Sequence, residues 1–230
     1  MSIYRTRRAT ISGKPQREEE LRRELVRFSR WLYRLGYMPA TSGNLSVRLD
    51  DRRLLVTPTG ASKYLLRRSD MVVVDLEGRH LNGARRATSE LGMHLAFYRE
   101  RDDVQAVVHS HPPVATAFAC AGWALDELLC QEAAMTLGPV PLARYATTGT
   151  DEVAASLRPL IPGYDTILLA NHGAVTCGAT LLQAFLKMET LEHVAQIRLA
   201  AQQLGGYNAL ERQQEAELYR ARERHLQNAV

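Results

Sequence analysis

No uninterrupted apolar run in these 230 residues approaches the roughly 18 that a bilayer-spanning helix needs, so no stretch reads as a membrane span. The start, Met1-Ser2-Ile3-Tyr4-Arg5-Thr6-Arg7-Arg8, lacks the apolar segment of a secretory signal. Cysteine is scarce: Cys120, Cys130 and Cys177 are odd in number, widely spaced and form no C-x-x-C. This excludes a disulfide framework and reads as reduced, packed thiols of a cytoplasmic protein. No G-x-G-x-x-G follows any strand, which argues against a Rossmann dinucleotide site. No G-x-S-x-G exists either, and no cysteine has a histidine on a shared face, so nucleophilic catalysis is poorly served. Aromatics make up only 7% of the chain, and this bears on its net charge of +4. Much of the excess lies between Arg5 and Arg34, where Arg22, Arg23, Arg27, Arg30 and Arg34 decorate one expected helix and Glu18, Glu19, Glu20 and Glu24 dilute it. Nucleic-acid binding wants stacking aromatics within such a patch. A solvated helix face behind a flexible basic tail is favoured, with no nucleic-acid partner.

What is present suits one globular domain: 46% of the residues are hydrophobic, enough for a full-sized core. Residues 1–15 read as the tail, 16–206 as the domain and 207–230 as a charged C-terminal tail. In 16–35, Leu21, Leu25, Phe28, Trp31, Leu32 and Leu35 recur at helical spacing, and Gly36 caps the end. Strands are expected at 45–49, 53–57 and 71–75, the first two joined by a turn at Asp50-Asp51. Thr88 or Ser89 caps a helix running to about residue 100. A strand at 104–109, a helix at 114–121, a short strand at 139–143 and a helix from Thr150 to about 160 follow. A strand at 166–170 and a long helix at 180–204, closed by Gly205-Gly206, complete the order; residues 125–135 resist assignment. Hairpin strands flanked by helices predict an α/β (α+β type) fold, with a mostly antiparallel or mixed sheet sandwiched by helices.

The chemistry gathers at strand ends. Val104-Gln105-Ala106-Val107-Val108-His109-Ser110-His111-Pro112-Pro113 reads as an apolar strand whose last residues carry two histidines. Alternation puts His109 and His111 on one side with Cβ atoms about 7 Å apart, close enough to converge on one cation. The prolines stop the strand there. Thr166-Ile167-Leu168-Leu169-Ala170 likewise leads to Asn171-His172-Gly173. Three imidazoles and an open position are a common catalytic zinc set, although manganese, iron or cobalt can use the same ligands. Taken singly, each is also an ordinary strand-end histidine. His80, His94, His193 and His225 are poorer candidates, being placed in a turn, on two helices and in the tail.

Glu90 opens a helix, where a carboxylate is ordinarily explained by the macrodipole. Beside a metal it can instead ligate the ion or remove a proton next to a polarised carbonyl. Three loops, Ser42-Gly43-Asn44, Thr59-Gly60-Ala61-Ser62 and Thr88-Ser89, supply hydroxyls and backbone N–H groups for an anion cradle, with Lys63 or Arg86 as added charge.

Ser42-Gly43-Asn44-Leu45-Ser46, Thr57-Pro58-Thr59-Gly60, Ser89-Glu90 with Met93-His94, Ala106-Val107-Val108-His109-Ser110-His111 and Asn171-His172-Gly173 occur in this order. Together they resemble the class II aldolase/adducin family, over residues 19–204, and within it the L-fuculose-1-phosphate aldolase branch. The resemblance implies a cyclic homotetramer with intersubunit active sites, and zinc on His109, His111 and His172. It implies Glu90 as the acid/base carboxylate, and Asn44, Thr59, Gly60, Thr88 and Ser89 around a substrate phosphate. The implied reaction is reversible cleavage of a ketose 1-phosphate of fuculose, rhamnulose or deoxypentulose type, giving dihydroxyacetone phosphate and an aldehyde through an enediolate. One departure stands out. Residues 128–138 contain no tyrosine where fucose-type enzymes place their proton donor, which leaves Glu132, Gln131 or Tyr219 to replace it. A phosphosugar 4-epimerase, a decarboxylase or dehydratase, and a non-enzymatic adducin-like module are the alternatives.

Overall fold

The spacing of Leu21, Leu25, Phe28 and Leu32 produces a first helix, α1 (Lys14–Arg34), in the computed structural model, which describes residues 14–227. Leu25, Phe28 and Leu32 are fully buried, whereas Trp31 and Leu35, at the edge of the same stripe, stay more than a third exposed. The arginine face is not merely solvated. Arg22 donates to the carbonyls of Arg68 and Met71, and Arg30 to those of Tyr64 and Leu66, which ties α1 to the segment crossing it. The remainder of the tail expected at 1–15 lies outside the described residues.

Eight strands follow the alternation of their side chains into one sheet. They are β1 (Asn44–Arg48), β2 (Arg53–Val56), β3 (Val72–Asp75), β4 (His80–Asn82), β5 (Ala106–Ser110), β6 (Leu142–Ala143), β7 (Thr166–Leu169) and β8 (Gly173–Gly178). Their order is β4-β3-β2-β1-β5-β8-β7-β6, antiparallel throughout except for the β6–β7 pair. The helices are α2 (Leu91–Glu100), α3 (Pro113–Cys120), α4 (Gln131–Thr136), α5 (Asp151–Leu157), α6 (Leu181–Gln203) and α7 (Arg212–Gln227). One sheet face, through Leu45, Val47, Ala106, Val108 and Ala174, packs under α1, α3, α4 and α6. The other, through Leu54, Val56, Val107, Ile167 and Val175, packs under α2 and α5. The result is a single mixed α/β domain, as the alternation of hairpins and helices predicts.

Several expectations are corrected. The apolar run after His172 is a strand of its own, β8, which pairs with both β5 and β7 at the centre of the sheet. Its small residues and glycines hide the period-two pattern. The segment expected as a C-terminal tail is largely α7, whose Leu218 and Tyr219 pack against the core. His80 opens β4 rather than lying in a turn. The ambiguous stretch 125–135 divides into a bridge between Leu125 and Val140 and the short helix α4. Of the three free thiols only Cys177 is buried, and Cys120 is exposed.

Candidate functional site

β5 carries the site to the middle of the sheet. His109 lies opposite Asn44 of β1 and Val175 of β8, and is wholly buried. Its Nδ1 meets the Ala174 carbonyl at 2.9 Å; a carbonyl only accepts, so Nδ1 carries a proton and Nε2 is the nitrogen turned toward His111. His111 follows the strand, its backbone N–H donating to the Tyr37 carbonyl. His172 comes from the tight β7–β8 turn, where Asn171 takes a left-handed φ of 56° that asparagine tolerates. Gly173 is fixed by space: a Cβ there would sit 2.5 Å from His111 Cδ2 and 2.7 Å from the Ser110 carbonyl.

These devices bring the three rings to centroid separations of 4.9, 4.7 and 5.0 Å. One nitrogen from each lies within 4.8 Å of the others. Burial, reinforced by charge at His109, pushes His111 down to about 3 and His172 down to about 4, so both are neutral at physiological pH. Neutral, convergent imidazoles are the protonation state a divalent transition metal requires.

Glu90 closes the fourth side. It stands at the N-cap of α2, one residue before the first turn where it was expected; no side chain caps this helix, and the Thr88 hydroxyl accepts from the Glu90 N–H instead. Glu90 Oε2 lies 3.3 Å from His109 Nε2, and Oε1 lies 3.3 Å from His172 Nε2. Asn44 Nδ2 donates to Oε2 at 2.7 Å, while Oε1 is buried with no hydrogen-bond partner among the described residues. Burial acts to raise this carboxyl's pKa, but the charge and hydrogen bond of His109, with the Asn44 hydrogen bond, outweigh it and hold the group well below the usual carboxylate range. A carboxylate oxygen without a hydrogen-bond partner, beside three convergent imidazoles, fits a cation among them.

In front of this cluster opens a cleft of about 370 Å³, lined by Asn44, Thr59, Gly60, Lys63, Thr88, Ser89, Glu90, His111, Thr148, Gly149 and His172 among others. The residues expected at a phosphate are therefore brought together. The two loops that carry them are stitched by Thr59 N–H to the Arg86 carbonyl and Thr88 N–H to the Thr57 carbonyl. Gly60 has a φ of 66° and open space where a Cβ would be. Lys63 is buried beneath the loops, donating to the carbonyls of Thr41 and Ala61, and its pKa falls to about 8 because burial outweighs the attraction of Glu90. Arg86, by contrast, is exposed and lines no part of the cleft. None of the three proposed proton donors lines it: Gln131 and Glu132 are exposed on α4, and the Tyr219 hydroxyl lies near Gly138. A larger cleft of about 950 Å³ between α1 and residues 67–69 is lined by arginines, contains no histidine and is remote from this chemistry.

Three buried residues behind the site, His94, Ser46 and Tyr98, were given no part in it from the sequence. Their spacing carried a sign of them. Glu90, His94 and Tyr98 are four apart on α2, and Asn44 and Ser46 are two apart on β1, so both sets face one another.

The Class II Aldolase and Adducin N-terminal domain family matches residues 23–199. An L-fuculose phosphate aldolase of Methanococcus maripaludis is 38% identical over 177 residues, 76% of this chain and 93% of that one. A 3-oxo-tetronate 4-phosphate decarboxylase of Haemophilus influenzae is 36% identical over 181 residues, covering 75% and 84%. Among solved structures, an L-fuculose 1-phosphate aldolase superposes with a TM-score of 0.82 at 32% identity, covering 86% of this chain and 94% of its own. With the histidine triad, the glutamate at the start of α2 and the glycine-lined cleft all in the order the motifs require, the chain belongs to the class II aldolase and adducin family.

Proposed function

We infer that the protein is a zinc-dependent aldolase that reversibly cleaves a ketose 1-phosphate to dihydroxyacetone phosphate and an aldehyde. The observation that carries this reading is the placement of Glu90. Its carboxylate sits between two histidines of the triad, in a cleft also lined by Thr59, Gly60, Thr88 and Ser89.

His109, His111 and His172 would hold the ion, with Glu90 as a displaceable fourth group. A divalent cation there supplies Lewis acidity, polarising the substrate carbonyl so that the neighbouring C–H becomes acidic. Thr59, Gly60, Thr88 and Ser89 bind the phosphate through hydroxyls and backbone N–H groups, and Lys63 adds positive charge beneath them. Phosphate anchored there directs the hydroxymethyl carbon toward Glu90. Glu90 takes the proton on Oε1, the oxygen left without a partner, and Asn44 steadies Oε2. The enediolate carbon then attacks the aldehyde; in the cleavage direction the same atoms run backward.

The proton donor to the aldehyde oxygen is assigned to a neighbouring copy in a cyclic homotetramer, from Tyr219 of α7 or Glu132 of α4. Tyr219→Phe and Glu132→Gln test this assignment, since the donor's loss slows aldol cleavage and spares the deprotonation half-reaction. That neither Tyr219 nor Glu132 lines this chain's own cleft also favours a second reading, a phosphosugar decarboxylase. That reaction needs the carbonyl polarised but no acid for an aldehyde oxygen, and a decarboxylase is among the relatives.

The deciding experiment is solvent deuterium exchange at the hydroxymethyl carbon of dihydroxyacetone phosphate, followed by NMR with zinc-loaded protein and no aldehyde. Exchange that disappears in Glu90→Gln supports the aldolase. Its absence in metal-replete protein overturns it in favour of the decarboxylase.

A further inference from the structure

A continuous line of buried hydrogen bonds runs from Glu90 away from the cleft and into the interior. Asn44 Nδ2 lies 2.7 Å from Glu90 Oε2; Asn44 Oδ1 lies 2.5 Å from His94 Nε2; His94 Nδ1 lies 2.7 Å from Ser46 Oγ; and Ser46 Oγ lies 2.9 Å from the Tyr98 hydroxyl. His94 and Ser46 are completely buried, and Asn44 and Tyr98 nearly so. Arg48 closes the inner end, donating to the Tyr98 carbonyl and lying over its ring. Core polar groups need partners, but a five-residue file that ends on a carboxylate exceeds what packing alone demands.

Donor and acceptor chemistry gives this file one direction. An ionised Glu90 only accepts, so the Asn44 amide must turn its NH₂ toward it. The Asn44 carbonyl then faces His94, and the only group that can satisfy it is an Nε2–H. A neutral imidazole protonated on Nε2 has a bare Nδ1, which must accept from the Ser46 hydroxyl. Ser46, having donated, can only accept from Tyr98. Every hydrogen is thus placed by the charge on Glu90. Burial, helped by charge at His109, pushes His94 down to about 3, in keeping with a neutral ring.

The geometry points to His94 as a positioning residue for the Glu90 base: as the neutral Nε2–H tautomer it holds the Asn44 amide in one orientation, so that Asn44 keeps donating to Oε2 and the carboxylate stays aimed between His109 and His172. Without that clamp the amide turns over freely and offers its carbonyl to the carboxylate, repelling it. The role rests on the reading of Glu90 as a base, but the tautomer itself does not depend on that reading.

Two measurements test the inference. Long-range ¹H–¹⁵N spectra of the metal-free protein should show one histidine with protonated Nε2 and bare Nδ1, unchanged between pH 8 and pH 5 and absent from His94→Asn. A His94 resonance with the proton on Nδ1, or one that titrates in that range, overturns the proposal even if no substrate is found. The second measurement uses the deuterium-exchange half-reaction. His94→Gln keeps an N–H near the Nε2 position and should retain the rate within about threefold. His94→Asn lacks it and should lose about 10–100-fold in kcat, the scale of orienting-group losses, with KM and zinc content little changed. Equal losses in both variants, or a loss confined to KM, overturn the positioning role. Should His94→Asn fail to fold, Tyr98→Phe and the wild-type spectra decide: Tyr98→Phe frees the Ser46 hydroxyl to rotate and should shift the His94 Nδ1 resonance. An unmoved resonance refutes the connected file.

Discussion

Gly173 shows how little latitude the site leaves at the scale of one residue. A methyl group there would overlap His111 Cδ2 and the Ser110 carbonyl, and neither is the far end of a flexible side chain. Gly173→Ala must therefore push β8 from β5 or rotate the His111 ring. Overpacking of this kind costs about 1–3 kcal/mol. The expected outcome is a lower melting temperature together with zinc affinity reduced at least tenfold, read by competition with a chromogenic chelator. Unchanged affinity would mean that the ring is not held by this contact. Glu90 is constrained differently, by charge. Glu90→Gln keeps the shape and removes the base, so turnover should fall by about 10²–10⁴, the usual worth of a positioned acid or base. Metal analysis should still find zinc on the three histidines; protein without it would recast Glu90 as an indispensable ligand.

Among the elements, α3 depends on a residue far along the chain. Glu192 of α6 is buried and accepts from the backbone N–H groups of Val114 and Ala115, supplying the N-terminus of α3 with the cap its own sequence lacks, since Pro112 has no side chain to offer. α3 begins two residues after His111, so this cap also anchors the end of the histidine strand. Glu192→Ala leaves two N–H groups unpaired and should cost about 2–3 kcal/mol by chemical denaturation. A loss under 0.5 kcal/mol would show that α3 is held by packing alone. Such a contact, between partners 77 and 78 positions apart, is invisible to periodicity. What the sequence makes legible is local: the stripe of α1, the hairpin of β1 and β2, Thr150 as a helix cap, and histidines marked by a proline stop or a neighbouring glycine. β8 is missed because Gly173, Ala174 and Gly178 blunt its pattern, and α7 because its polar faces resemble a solvated tail. The cluster of His109, His111, His172 and Glu90 could be anticipated because each ligand sits at an element's end. Asn44 was expected at the phosphate; in the structure it lines the cleft and its amide also meets Glu90 and His94, a pairing that needed the sheet register opposite His109.

For the whole molecule, a cluster of buried histidines is a liability that a metal bound there would offset. His94, His111 and His172 are buried in the folded protein with pKa values of about 3, 3 and 4, against 6.5 for an ordinary imidazole. Their folded values are depressed, so between about pH 6.5 and pH 4 the unfolded chain binds protons that the folded chain refuses. Stability is then greatest above pH 6.5 and declines as pH falls through that window, by up to about 1.4 kcal/mol per pH unit for each histidine. The upper part of this window lies above the ordinary range of Asp and Glu, so a decline between pH 6.5 and 5 reports the histidines. A cation bound by His111 and His172 acts on the same balance: it requires neutral rings, and at 100 times its Kd it adds about 2.7 kcal/mol to the folded state. Thermal unfolding with and without a chelator should therefore separate widely at pH 7.5 and remain apart at pH 5, where the folded rings are still neutral, converging only as the pH nears 4 and protons compete for the ligands. The metal-free curve should slope downward with acid in its own right, because His94 sits behind the metal site and does not rely on the ion. Coincident curves at pH 7.5 would remove the metal from the account of stability, and a flat metal-free curve between pH 6.5 and 5 would mean that the three rings are not held neutral by burial.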